Sequence, residues 1–200
     1  MSMVRTIVIF VLLVLFAYNV SAKHIIGGVM YYEFVSRTNN SNTYRIILKM
    51  YRDCKPEQNK ADFDGLIGQV SAIATIFDGI TFNNIGALNF GTPSIKKIGV
   101  EVTNKCLVVP PDICVEEGIY STLITLPIST SSYIISYQRC CRNNSISNLV
   151  SPGNIGATFM IEITPEAQAL NNSSPQYLNF PPTAICANFP LIFDHSGIDN

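Results

Sequence analysis

TYRIILKMYRDC, residues 43–54, alternates with a period of two: Tyr44, Ile46, Leu48 and Met50 fall on one side of an extended chain, Arg45, Lys49 and Tyr51 on the other. Successive side chains of a strand point to opposite faces. The stretch therefore predicts a strand whose inner face is core and whose outer face is basic and aromatic.

The same pattern extends outward in both directions. Strands are predicted at Ile25–Phe34, Val70–Phe77, Ile98–Thr103, Ile119–Leu126, Tyr133–Cys140 and Ala157–Ile163, each bounded by Gly, Pro, Asn or Asp. PEAQAL, residues 165–170, predicts one helical turn behind Pro165. Short strands at close spacing without a long helical stripe predict an all-β, Ig-like β-sandwich of about seven or more strands. NNSSPQYLNFPP, residues 171–182, breaks the alternation with prolines, which cannot donate to a ladder. A sandwich domain over 23–170 is expected, and 171–200 reads as a linker and the start of a second β domain.

Residues 1–22, MSMVRTIVIFVLLVLFAYNVSA, place Arg5 before an apolar run and end in Val20-Ser21-Ala22, the form of a cleavable secretory signal peptide. The mature chain would start at Lys23. No later segment is apolar for long enough to span a bilayer as a helix. Without Arg5 the chain carries 12 basic residues against 14 acidic, and the basic ones form no stripe. Nucleic-acid binding, which requires a concentrated positive surface, is not expected.

Six cysteines, Cys54, Cys106, Cys114, Cys140, Cys141 and Cys186, are an even set in an exported chain and are candidates for disulfides. Adjacent Cα atoms lie about 3.8 Å apart across a trans peptide, whereas a disulfide spans roughly 4.4–6.8 Å. A strand running through Cys140 and Cys141 would also send their sulfurs to opposite faces. The neighbours are expected to seek separate partners, Cys54 and Cys186, and Cys106 and Cys114 to close a local loop around LVVPPDI. The connectivity itself is open.

No catalytic, cofactor-binding or metal-ligating residues emerge. There is no GxSxG, Walker loop, GxGxxG or HExxH, and the two histidines, His24 and His195, lie at opposite ends. Asp62, Asp64, Glu116 and Glu117 stand beside glycines and read as carboxylates of exposed turns. Tyr31, Tyr32, Tyr51 and Tyr137 are candidates for an exposed stacking platform for sugars. Asn39, Asn143, Asn171 and Asn172 open N-x-Ser sequons.

KHIIGGVMYYE (23–33), YRIILKMYRDC (44–54), CVEEGIYSTLITLP (114–127), YIISYQRCCRNNSISNLVSPGNIGATFMIEI (133–163) and NSSPQYLNFPPTAICANFPLIFDHS (172–196), in that order, resemble the N-terminal region of large secreted surface proteins of Bacteroidetes. These are the gliding-motility-associated proteins with PKD or Ig-like repeats that the type IX system exports. The resemblance implies an extracellular, β-rich, non-enzymatic module without a cofactor, concerned with adhesion or the cell envelope. Surface glycans or other envelope proteins are the partners it implies, and a carbohydrate-binding module is the alternative. It also implies that FDHSGIDN, residues 193–200, leads into an acidic run that opens a second, Ig-like or cadherin-like domain with a calcium-rich turn; Asp194 and Asp199 are two carboxylates and do not by themselves make a metal site. Family members are longer and end in a sorting domain. A chain stopping at Asn200 is therefore expected to be a fragment, a truncated product or a short paralogue held in the periplasm; otherwise its place is the cell surface or the exterior.

Overall fold

A computed structural model describes residues 25–54, 61–99, 113–142, 146–179, 182, 185–186 and 188–199. The signal segment, His24, Cys106, Asn143 and most of the strand expected over Ile98–Thr103 lie outside the described residues.

Alternation in TYRIILKMYRDC forms the centre of one sheet. Tyr44, Ile46, Leu48 and Met50 are fully buried, while Arg45 on the other face is exposed. The strand is β2 (Ser41–Asp53), preceded by β1 (Ile25–Arg37). Then follow β3 (Ile73–Asp78), β4 (Asn84–Asn89), β5 (Ser94–Ile98), β6 (Val115–Pro127), β7 (Tyr133–Arg139) and β8 (Ala157–Ile163). A helical turn, α1 (Pro165–Leu170), and two short strands, β9 (Gln176–Tyr177) and β10 (Gly197–Ile198), complete the series.

Eight of these strands make two antiparallel sheets, ordered β1-β2-β6-β5 and β4-β3-β7-β8. The chain alternates between the sheets in pairs, so this is an all-β sandwich. Immunoglobulin constant domains order their strands ABED against CFG. The arrangement here is that order with β4 added beside the third strand. Tyr133, the first residue of β7, donates its hydroxyl to the Pro127 carbonyl at the end of β6 at 2.7 Å. This is the tyrosine corner of such sandwiches.

The core lies between the sheets. Tyr120 from β6 and Tyr137 from β7 meet Phe90 edge-on, with ring centroids 5.9 and 6.3 Å apart. With no tryptophan in the chain, these rings fill the centre. Each fully buried large apolar side chain contributes roughly 1.5–3 kcal/mol. Gly118 is required here: a Cβ at that position would come within 2.8 Å of the Phe63 ring.

At one end of the sandwich α1 acts as a plug. Pro165 starts it, the Thr164 side chain accepts from the Ala167 N–H at 3.1 Å, and Asn171 ends it in a left-handed conformation (φ 57°). Gln168 is buried and donates to the Ser131 carbonyl at 3.0 Å while accepting from the Ser129 N–H at 2.9 Å. The chain then passes along the edge of β1. Ser173 Oγ accepts from the Phe34 N–H at 3.0 Å, and Ser174 Oγ accepts from the Tyr32 N–H at 2.8 Å. In the region read as the start of a second domain, β9 and β10 pair with each other over two residues.

Several strand expectations change. NIGALN and SIKKI form β4 and β5, although neither was expected as a strand. Their Asn, Gly and Lys residues are poor strand formers, and β5 is exposed along almost its whole length, so it carries no buried stripe to read. The Val70–Phe77 strand begins only at Ile73, and that of Tyr133–Cys140 ends at Arg139.

Candidate functional site

The connections β2–β3, β5–β6 and β7–β8 leave the sandwich at one end. Their position follows from the register, since Asp53 pairs with Val115, Val115 with Ile98, Ile25 with Arg52 and Arg139 with Ala157. Loops at such an end of an immunoglobulin sandwich are free to vary while the sheets hold their bases.

Both fully described disulfides lie at this end, and both correct the expected pairing. Cys54 is bonded to Cys114, with Cα atoms 5.1 Å apart. They extend the β2–β6 ladder by one step, because the Cys54 N–H donates to the Cys114 carbonyl at 3.1 Å. The local Cys106–Cys114 bridge is thereby replaced by a link between neighbouring strands, which spacing along the chain does not reveal. Cys140 is bonded to Cys141, with Cα atoms 3.1 Å apart across a cis peptide. β7 ends one residue earlier, so strand alternation does not apply to the pair. Neither Cys54 nor Cys186 bonds to the vicinal cysteines, although Cys186 is itself disulfide-bonded.

The segment 61–72, in the β2–β3 connection, is held from both sheets. Arg52, inward-facing on β2, donates to the Ala61 carbonyl at 2.6 Å, pairs with Glu116 at 2.7 Å, and lies 4.2 Å over the centre of the Phe63 ring. Arg139, at the end of β7, donates to the Asp62 carbonyl and forms an ion pair with the Asp64 carboxylate. Asp64 also accepts from the Tyr137 hydroxyl, and its carbonyl accepts from the Tyr120 hydroxyl at 2.9 Å. Burial pushes the Tyr137 hydroxyl well above the ordinary phenol range; the Asp64 carboxylate adds to this and Arg139 opposes it. Tyr120 is raised for the same first reason, with the Asp64 charge second.

Asp64 is only 7% exposed. Its reading as an exposed turn carboxylate is therefore wrong, and so is that of Glu117, 5% exposed on β6 and bonded to Lys96 (2.9 Å) and Tyr51 (3.2 Å). Adjacent glycines suggested turns, but Gly65 serves a close approach. It has φ +80°, and a Cβ there would collide with the Gly91 carbonyl. The signal that reaches Asp64 is Tyr137 and Arg139, two residues apart on a strand. Both face inward, and an arginine directed into a core requires a buried anion.

So clamped, the segment carries a turn at its tip, Leu66 to Gln69, closed by the Gln69 N–H to Leu66 carbonyl bond of 3.0 Å. Ile67 is fully exposed there, and Val70 is 71% exposed. Val150, on the β7–β8 loop, is 87% exposed. A rigid base and apolar tips suit contact with another molecule: little freedom remains to be lost on binding.

The remaining candidates lie elsewhere. Tyr32 and Tyr137 are core residues, which removes half of the expected stacking platform. Tyr31 and Tyr51 stay on the outer face of β1 and β2, with the Lys49 ammonium 5.4 Å from the Tyr31 ring centre. His195 packs edge-on to Phe193 at 4.6 Å, and Asp194 accepts from the Ser196 N–H. Among the described residues no three His, Cys, Asp or Glu side chains are grouped to hold a metal ion, and no helix is long and apolar enough to cross a membrane. Comparison of the chain with protein-family models, with curated proteins and with solved structures found no match.

Proposed function

We propose that the chain is an exported, non-enzymatic module of a cell-surface protein that makes adhesive or envelope contacts through the loop-bearing end of its sandwich. The observation that carries this reading is the clamped 61–72 segment, which is bonded to both sheets through Arg52 and Arg139 while Ile67 and Val70 project outward. Disulfides at the same end suit an oxidising exterior, and the signal-like N-terminus and the resemblance to secreted gliding-associated proteins point the same way. Partners are envelope proteins or surface glycans. The loop end is preferred to a sugar platform on the sheet because Tyr32 and Tyr137 are in the core.

The test is retention of the purified chain on envelope fragments of cells that produce it. Replacing Ile67 and Val150 together by Asp is expected to lower retention roughly tenfold or more, as loss of apolar anchors does, with the thermal midpoint unchanged. Equal retention of variant and parent would overturn the reading.

A further inference from the structure

The vicinal disulfide stands between two arginines that hold different loops. On its N-terminal side Arg139 holds the 61–72 segment through Asp62 and Asp64. On its C-terminal side the Arg142 N–H donates to the Ile155 carbonyl at 2.9 Å and its Nε to the Gly156 carbonyl at 3.2 Å, which anchors the end of the β7–β8 loop. Cys141 itself takes part: its carbonyl accepts from the Ile25 N–H at 3.5 Å, where β1 begins, and Ile25 bridges to Arg142. Arg139 pairs with Ala157 and Arg142 bonds to Ile155, so three steps on one side face two on the other. The two cysteines thus stand opposite the single Gly156, the two-against-one count of a bulge, the device by which a ladder is bent and its side chains are re-aimed.

From this placement we infer that the Cys140–Cys141 bond is a redox-controlled latch that sets the positions of the two loops relative to each other. The inference rests on reading this end as a contact surface and names the regulation of that surface. Its effector is a dithiol, small or carried by a protein. A dithiol thiolate attacks Cys140 Sγ, the S–S bond breaks, and Cys141 leaves as a thiolate that takes up a proton. The second thiol of the reagent then attacks the mixed disulfide, releasing Cys140 as a thiolate that is protonated in turn. Two electrons pass from the dithiol, which leaves as a disulfide, to the cysteine pair, which becomes two thiols.

Access makes the reaction selective. Cys140 is the one exposed cysteine among the described residues, whereas Cys54 is buried and Cys114, Cys141 and Cys186 are half-buried. Once the pair is open, Arg139 and Arg142 lose their covalent ring and are linked only by ordinary backbone and by their bonds to residues 155–157, and each loop gains freedom about its own anchor.

Limiting dithiothreitol, followed by iodoacetamide and peptide mass spectrometry, reads the chemistry; hydrogen exchange on the same samples reads the loops. Alkylation at Cys140 and Cys141 should precede that at Cys54 and Cys114. Exchange over 61–72 and 146–156 should then rise at least about fivefold while β2 and β6 stay protected. A Cys140→Ser/Cys141→Ser variant should exchange like the reduced protein without any reductant, and if it does not fold the reduction arm still decides. Alkylation of the vicinal pair no sooner than Cys54, or unchanged loop exchange once the pair is alkylated, would overturn the latch. Neither readout involves a binding partner, so its failure is separable from failure of the adhesive reading.

Discussion

Two ion pairs in this molecule have similar chemistry and opposite settings. Arg45–Glu33 lies on the outer face of the first sheet, with side chains 47% and 34% exposed, whereas Arg139–Asp64 is enclosed, at 13% and 10%. Solvent and salt screen the first, so Arg45→Ala should change stability by less than about 1 kcal/mol. Asp64→Ala leaves the enclosed Arg139 guanidinium without its anion and the buried Tyr137 hydroxyl without its acceptor, while the Tyr120 bond to the backbone carbonyl survives, and should cost about 3–5 kcal/mol. Urea unfolding of both variants checks the contrast; equal losses would show that Asp64 is not the hub of the clamp. Sequence reading placed Asp64 in a turn because its partners, Tyr137 and Arg139, come from 73 and 75 residues later. A glycine next to an aspartate is a local signal; an anion that completes an arginine across a sandwich is not.

At the scale of elements, legibility followed burial. β2 was readable because four alternate side chains are fully enclosed, and PEAQAL because proline and a threonine cap are local instructions. β5 was not, since an edge strand exposed along its length has no alternation to show. The cysteines mark the same limit: their partners depend on which strands become neighbours and where β7 stops. α1 provides an element-level test. Gln168 ties the plug to the β6–β7 turn through Ser129 and Ser131, and its own carbonyl accepts from the buried Asn42 amide at 2.8 Å. Gln168→Ala strands the buried Ser131 carbonyl and the half-buried Ser129 N–H and should cost about 1–3 kcal/mol. The loss should be accompanied by faster hydrogen exchange over Ser129–Ser132 and none over Cys54–Ala72. Uniform exchange throughout would mean that the plug does not act locally.

The whole molecule has a basic limit set by its tyrosines. Tyr44, Tyr120 and Tyr137 are fully buried and Tyr32 and Tyr133 nearly so, and burial raises the hydroxyl of each. Their folded values lie above the unfolded one, so the stability they contribute is complete below about pH 10. It is lost as pH rises through the raised folded values, because the unfolded chain releases protons that the folded chain keeps. The sandwich should therefore hold to about pH 10 and unfold above it, with tyrosinate ultraviolet absorbance and loss of β circular dichroism rising together. Tyrosinate absorbance from the core well before the dichroism changes would contradict the burial described. The acid side has no counterpart among these phenols, which stay neutral there.

The serine contacts on β1 acquire a mechanical meaning at this scale. From Ser173 to Ser174 the partner on β1 steps back from Phe34 to Tyr32, so the departing chain runs opposite to the strand on which the sandwich begins. Tension between Ile25 and Tyr177 would load those bonds in succession, as a zipper is loaded, before it reached the ladder of β2 and β6 inside. A module joined to its neighbours along that seam would lengthen under pull by peeling one edge and spare its core; force spectroscopy from those two positions should register a low first step.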